Sequence, residues 1–165
     1  MTGILGVDLG ERRIGIALAD DEASPAMPLT TLRRGREPAR DIESLQALID
    51  AHSIAELVVG LPLEAAGQEG AQAAITRRWV EAVGTGLAVR VTLRDERLTS
   101  HLAETRLGPM KRGRSGGPPS KTQRDAYRAR VDREAAAIIL QDELDTRAGR
   151  RASLTRTPDP QETSP

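Results

Sequence analysis

Apolar and polar residues along this chain recur with two different periods, and the switches between them mark its elements. From Gly3 to Ala19 two aliphatic runs flank a polar turn: Ile4, Leu5 and Val7 lead into Asp8, and Ile14, Ile16 and Leu18 carry the chain away. Gly10-Glu11-Arg12-Arg13 between them predicts a hairpin turn, with Gly10 free to take the backbone angles a turn demands. Leu29–Leu32 predicts a third strand beside the hairpin, after a Pro- and acid-containing loop. Asp41–Ala51 has helical spacing, with Ile42, Leu45, Leu48 and Ile49 on one face. Glu56–Gly60 is a continuous apolar run, as in a strand buried on both faces.

A second helix is expected over Ala71–Val83, stopped by Gly84 and Gly86, and a strand over Leu87–Leu93 that runs into Asp95-Glu96. Thr99 or Ser100 can cap a third helix reaching Leu107. Gly108–Gln123, rich in Gly, Pro and basic residues, reads as a mobile loop before a last helix over Arg124–Arg147. The order β-β-β-α-β-α-β-α-α predicts an α/β domain. Its mixed five-stranded sheet would begin with an antiparallel hairpin and carry helices on both faces. Ligand sites in such sheets gather at the strand ends. Residues 148–165 contain one large apolar residue, Leu154, and are expected to form a disordered tail behind a domain of residues 1–147.

Composition narrows the chemistry. With 165 residues, 38% of them hydrophobic, no Phe, one Trp and one Tyr, the core must be filled by Val, Ile, Leu and Ala. The absence of cysteine excludes disulfides, thiolate metal sites and a Cys nucleophile. No apolar run reaches membrane-spanning length, and the N-terminus lacks a basic-then-apolar leader, so a cytoplasmic protein without a membrane partner is expected. Formal net charge is zero, so any affinity for nucleic acid must come from local patches.

Acids stand at the joints. Asp8 ends the first strand, Asp95 or Glu96 ends the last, and Asp132 lies in the final helix just before Ala135-Ala136-Ala137, where a helix can approach a sheet closely. A carboxylate so near a core is costly unless a cation or several donors meet it. Converging carboxylates call for a divalent cation, and oxygen ligands with few imidazoles favour Mg²⁺ or Mn²⁺. From Lys111 to Arg133 the chain holds eight basic residues (Lys111, Arg112, Arg114, Lys121, Arg124, Arg128, Arg130 and Arg133) against Asp125 and Asp132. Such a stretch suits phosphate backbones. Arg12, Arg13 and Arg97 each neighbour a candidate acid and extend that patch, and His101 falls near Glu96 as an accessory group. With only Tyr127 and Trp79 as aromatics, base stacking is a minor source of affinity.

The segments GVDLGERRIGIALAD, VVGLPLEAAGQEG, LRDERLTS and VDREAAAIILQDELD resemble, in this order, the motifs of the YqgF family. These bacterial proteins are described both as Holliday junction resolvases and as pre-16S rRNA processing nucleases. The resemblance spans residues 3 to 145 and implies a ribonuclease H-like fold. It assigns the metal-binding acids to Asp8, Glu96 and Asp132, choosing Glu96 where strand alternation leaves Asp95 open. It implies a metal-dependent nuclease acting on structured nucleic acid, RNA favoured and branched DNA next, with ribosomal precursor particles as partners and a monomeric or homodimeric state. Two features depart from the family pattern: Glu64 stands where an Asn is common, and the 108–123 loop is long. Two other classes compete: an actin-like ATPase using Asp8-Leu9-Gly10, for which 165 residues are short, and a non-catalytic RNA-binding factor.

Overall fold

The structure, a computed structural model, describes residues 2–96 and 99–156. Three strands, β1 (Gly3–Leu9), β2 (Arg13–Ala19) and β3 (Met27–Arg33), form an antiparallel meander. Helix α1 (Pro38–His52) returns the chain to β4 (Ile54–Pro62), and α2 (Ala71–Gly86) returns it to β5 (Arg90–Glu96). Both crossovers lay down parallel neighbours, giving the sheet order β3-β2-β1-β4-β5. Helices α3 (Thr99–Leu107) and α4 (Lys121–Thr155) complete the chain. Among the described residues no helix is long and apolar enough to cross a membrane.

The period of two along each strand sorts side chains onto the two faces. Leu5, Val7, Ile14, Ile16, Leu57 and Val59 pack beneath α1 and α2, meeting Leu45, Ile49, Trp79 and Val83. Ile4, Ala17, Ala19 and Val58 face α4 and meet Ala136, Ile139, Leu140 and Leu144. Several positions on the α4 face are glycine, and close approach is the reason. A Cβ at Gly6 would lie 2.5 Å from the Ala136 carbonyl oxygen, and one at Gly60 2.5 Å from Ile139 Cδ1. A Cβ at Gly15 would overlap the carbonyl oxygen of Asp132. This bare strip lets α4 lie directly on the sheet.

Several boundaries differ from the sequence expectation, among them the start of α1 at Pro38 rather than Asp41 and the span of β5, Arg90–Glu96 rather than Leu87–Leu93. Helix α2 continues through Gly84 to Gly86. A helical glycine costs only about 1 kcal/mol, and Gly86 sits against Ile42, where a Cβ would crowd its Cδ1 at 2.6 Å. Helix α4 starts three residues early, at Lys121, because Ser120 and Gln123 form a reciprocal capping box. It also passes the expected end at Arg147 and reaches Thr155. The extension has little to bury; it is held by ion pairs, Arg147 bonding Glu56, Glu143 and Glu22, and Arg151 pairing with Glu22. Residues 148–155, expected in the tail, are therefore helical, and 157–165 lie outside the described residues.

Candidate active site

Because β1, β4 and β5 are parallel, their C-terminal ends share one edge of the sheet, and β2 begins there too. Asp8 stands at this edge opposite Gly15, and Glu96 opposite Pro62. Alternation along β5 puts Val91 and Leu93 in the α1–α2 core. Thr92, Arg94 and Glu96 are left on the α4 face, the face of Asp8.

Asp8 and Glu96 line one cavity of about 380 Å³ with Gly60, Thr99, His101 and Ile139. Burial pushes the Asp8 carboxyl up to about 7, with the charges of Asp132 and Glu96 adding to the effect. Glu96 is also raised: burial lifts it, the Thr99 hydroxyl holds it back, Asp142 lifts it further and Arg94 opposes. Thr99 Oγ1 donates to Glu96 Oε2 at 2.8 Å, while the buried Glu96 Oε1 has no hydrogen-bond donor among the described residues. Arg94 Nε, 3.8 Å from Oε1, is equally unpartnered, because its Nη1 is drawn to Glu143 (3.3 Å) and Thr146 (2.9 Å).

Asp132 occupies the adjoining space. Arg13 Nε donates to its Oδ2 at 2.6 Å, and the two line a second cavity, about 420 Å³, with Gly10, Arg12, Asp125 and Arg128. The three expected acids are thus electrostatic neighbours, but only two share a cavity wall. Among the described residues no three acidic or imidazole groups are drawn together as a ready ligand set. The donor chemistry nevertheless fits a hard cation: clustered carboxylates, a raised Asp8 and a buried carboxylate oxygen with nothing to accept from.

The basic candidates divide. Arg124 and Arg128 precede Asp132 at helical intervals of four and lie on its stripe of α4, whereas Arg130 falls nearly opposite. Lys111, Arg112, Arg114, Lys121, Arg124 and Arg128 are exposed. Of these, Lys121 pairs with Asp125 and Arg124 donates to the Pro119 carbonyl at 2.6 Å. Arg12 is exposed beside the second cavity; Arg97 lies outside the described residues. Glu64 is folded back over Gly70 in a small turn closed by Leu63–Glu69 bridging, and Leu63 rather than Glu64 reaches the cavity. Sequence reasoning missed Arg94, though its place two residues before Glu96 was the signal, and it read Thr99 only as a helix cap.

This arrangement defines a class first. A five-stranded mixed sheet with acids at the ends of β1 and β5 and on the closing helix is the ribonuclease H-like fold. The chain superposes with a TM-score of 0.50 on Thermus thermophilus RuvC, solved in complex with a Holliday junction substrate, over 90% of this chain and 97% of that one at 14% identity. Residues 2–146 match the profile of RuvX, described as a Holliday junction resolvase. A Chloroflexus aggregans protein named "Putative pre-16S rRNA nuclease" is 43% identical over 144 residues, covering 87% of this chain and 94% of its own length. One of the same name from Anaeromyxobacter sp. (strain Fw109-5) is also 43% identical, over 87% and 96%. The chain belongs to the RuvX family.

Proposed function

We propose that this protein is a metal-dependent endonuclease that hydrolyses phosphodiester bonds of structured nucleic acid, with precursor 16S rRNA as its substrate. The observation that carries this reading is the pairing of Asp8 and Glu96 on one cavity, both acids raised and one Glu96 oxygen without a donor. Asp8 and Glu96 would hold Mg²⁺ or Mn²⁺, and Asp132 would join them by exchanging its bond to Arg13. When bound, such an ion neutralises charge developing on the phosphodiester and makes water nucleophilic.

The remaining groups bind and orient. Thr99 fixes one Glu96 oxygen and leaves the other turned inward. His101 lines the cavity wall and would donate to a substrate phosphate oxygen there. Arg12, Arg13, Arg124 and Arg128 neutralise backbone phosphates around the second cavity, and Arg13 gains a phosphate partner as Asp132 leaves it. Lys111, Arg112, Arg114 and Lys121 supply more diffuse positive charge along the approach. The setting would be the cytoplasm, on ribosomal precursor particles, with the protein acting as a monomer or homodimer.

The fold shared with RuvC supports a second reading, resolution of four-way DNA junctions. Labelled precursor rRNA and a four-way DNA junction, each incubated with protein and Mg²⁺, separate the two. Cleavage of the RNA that disappears in Asp8→Asn is the expected result; cleavage of the junction alone would move the assignment to DNA. Binding of both without any turnover would make the chain a non-catalytic RNA-binding factor.

A further inference from the structure

The sheet edge that carries Asp8 also carries a second group of basic side chains, on the side of the hairpin away from the acidic cavity. Strand β3 ends at Arg33, paired with Arg13 of β2. The chain then passes through Arg34, Gly35 and Arg36 into α1, whose first turn holds Arg40. Two adjoining depressions, about 190 and 590 Å³, share Arg34, Gly35 and Arg36; Arg78 of α2 lines the first, and Arg33 and Arg40 line the second.

This loop is held firmly. Asp41 is a carboxylate only 2% exposed, and it performs no evident chemistry. One of its oxygens accepts the Gly35 N–H at 2.8 Å and the other the Trp79 indole N–H at 2.9 Å, so a single side chain ties the loop to both α1 and α2. A Cβ at Gly35 would lie 2.5 Å from that of Arg40, which shows how tightly the loop folds onto the helix. Arg34 turns inward: its backbone N–H donates to the Arg12 carbonyl at 2.9 Å and its Nη1 to the Gly10 carbonyl at 2.8 Å. The loop and the hairpin beside the active site therefore form one continuous surface.

Arg33, Arg36, Arg40 and Arg78 are exposed. Among the described residues none of their side chains makes an ion pair or hydrogen bond, a property shared with Arg12, Arg90, Arg114, Arg128, Arg130, Arg133 and Arg150 but not with Arg13, Arg77, Arg94, Arg106, Arg147 or Arg151. In a chain with equal numbers of acids and bases, leaving four guanidiniums without partners on one braced platform keeps their donor forks available. Planar guanidiniums match phosphate oxygens in geometry and charge. Trp79, the aromatic nearest the platform, is buried and its N–H is taken, so base stacking adds nothing and contacts of this kind are blind to sequence.

We infer that Arg33, Arg36, Arg40 and Arg78 form a second phosphate-binding surface, engaging the sugar–phosphate backbone of the same nucleic acid beyond the hairpin from the acidic cavity. The inference rests on the nucleic-acid substrate proposed above and adds to it: the substrate must extend past the cleavage point on the β3–α1 side as well as along α4. A helical arm or a branch meets that demand, and a short single strand does not.

The test measures binding without turnover. The full chain and its Arg36→Ala/Arg40→Ala/Arg78→Ala variant are titrated, in chelator and at several salt concentrations, against a labelled RNA duplex and a four-way DNA junction. Each lost phosphate contact lowers the salt slope by about 0.9. The variant should therefore lose about 2 to 3 in slope, and at least roughly tenfold in affinity at about 0.1 M salt. A variant with three lysines in place of the arginines should recover most of the slope. Wild-type slope and affinity in the alanine variant, on both probes, would overturn the inference. If that variant melts early, Arg36→Glu alone, on the exposed loop, carries the same readout. The same probes are incubated in parallel with the wild type and Mg²⁺. Arginine-dependent binding in chelator with no cleavage in Mg²⁺ would sink the nuclease reading and leave this surface standing, and cleavage in Mg²⁺ with an unchanged slope in chelator would do the reverse.

Discussion

Replacing Asp8 by Asn removes an acid while keeping its shape, and it should make the metal-free protein more stable. In the fold the Asp8 carboxyl is pushed from 3.8 up to about 7, chiefly by burial and then by the charges of Asp132 and Glu96. Between those two values the unfolded chain has released a proton that the folded chain still holds. Folding therefore loses stability as pH rises from about 4 to about 7, and the loss is complete above that. The full difference corresponds to about 4 kcal/mol. Asp8 still meets solvent in the cavity, and screening there reduces the expected share to about 2 kcal/mol. Asp8→Asn should match the wild type near pH 4 and exceed it by about 2 kcal/mol near pH 8. Urea unfolding followed by circular dichroism across that range, in chelator at constant ionic strength, measures the difference directly. Titrating groups that do not interact with Asp8 cancel when variant and wild type are compared at each pH, so the difference reports Asp8 together with its coupling to Asp132 and Glu96. An Asn variant that is less stable at pH 8, or offset equally at every pH, would refute the argument that Asp8 is an electrostatically strained acid awaiting a cation. Added Mg²⁺ should stabilise the wild type by mass action and leave the variant nearly unmoved.

Three further expectations concern the frame around that acid. Gly15→Ala places a methyl group into the Asp132 carbonyl; it should cost about 3 kcal/mol in urea unfolding, at the top of the usual range for overpacking because backbone must move. Arg13→Ala releases Asp132 from its 2.6 Å ion pair. Calorimetry without nucleic acid should show Mn²⁺ binding about fivefold more tightly, equivalent to about 1 kcal/mol, while RNA affinity falls. Arg147→Ala strands Glu56 and Glu143 in a largely buried setting and should destabilise by about 3 kcal/mol at neutral pH. Burial lifts Glu56, but hydrogen bonds from Arg147 and Thr92 outweigh it and hold the carboxyl below 4.5. Its contribution is therefore present above that value and lost as pH falls, so wild type and Arg147→Ala should converge in acid, as denaturation midpoints will show.

Local pattern alone determined most elements of this protein and the strand ends at which Asp8 and Glu96 stand. The aliphatic runs Ile4-Leu5-Val7 and Ile14-Ile16-Leu18 around the turn at Gly10 specified the hairpin, and a continuous apolar run specified β4 as a central strand, because burial on one face or two is written directly into residue type. Motif resemblance then separated Glu96 from Asp95, a choice that alternation can make only once the face carrying α4 is known. The early start of α4 was missed although its local signal, the capping pair Ser120 and Gln123, stands in the sequence at the end of the stretch read as loop.

Tertiary structure decided what depends on partners distant in sequence. Helix α4 runs on to Thr155 because Arg147 and Arg151 find Glu22 and Glu56 across the fold, and no apolar periodicity announces an ion pair. Gly6, Gly15 and Gly60 look like three unrelated small residues until α4 lies on them. Asp132 is paired with Arg13 rather than turned to Asp8 and Glu96, and Asp41 serves as a brace between a loop and two helices. The physical reason is common to all four. A sequence records how much each residue gains by leaving water, whereas the partner of a charge or the neighbour of a glycine exists only after distant segments have been packed together.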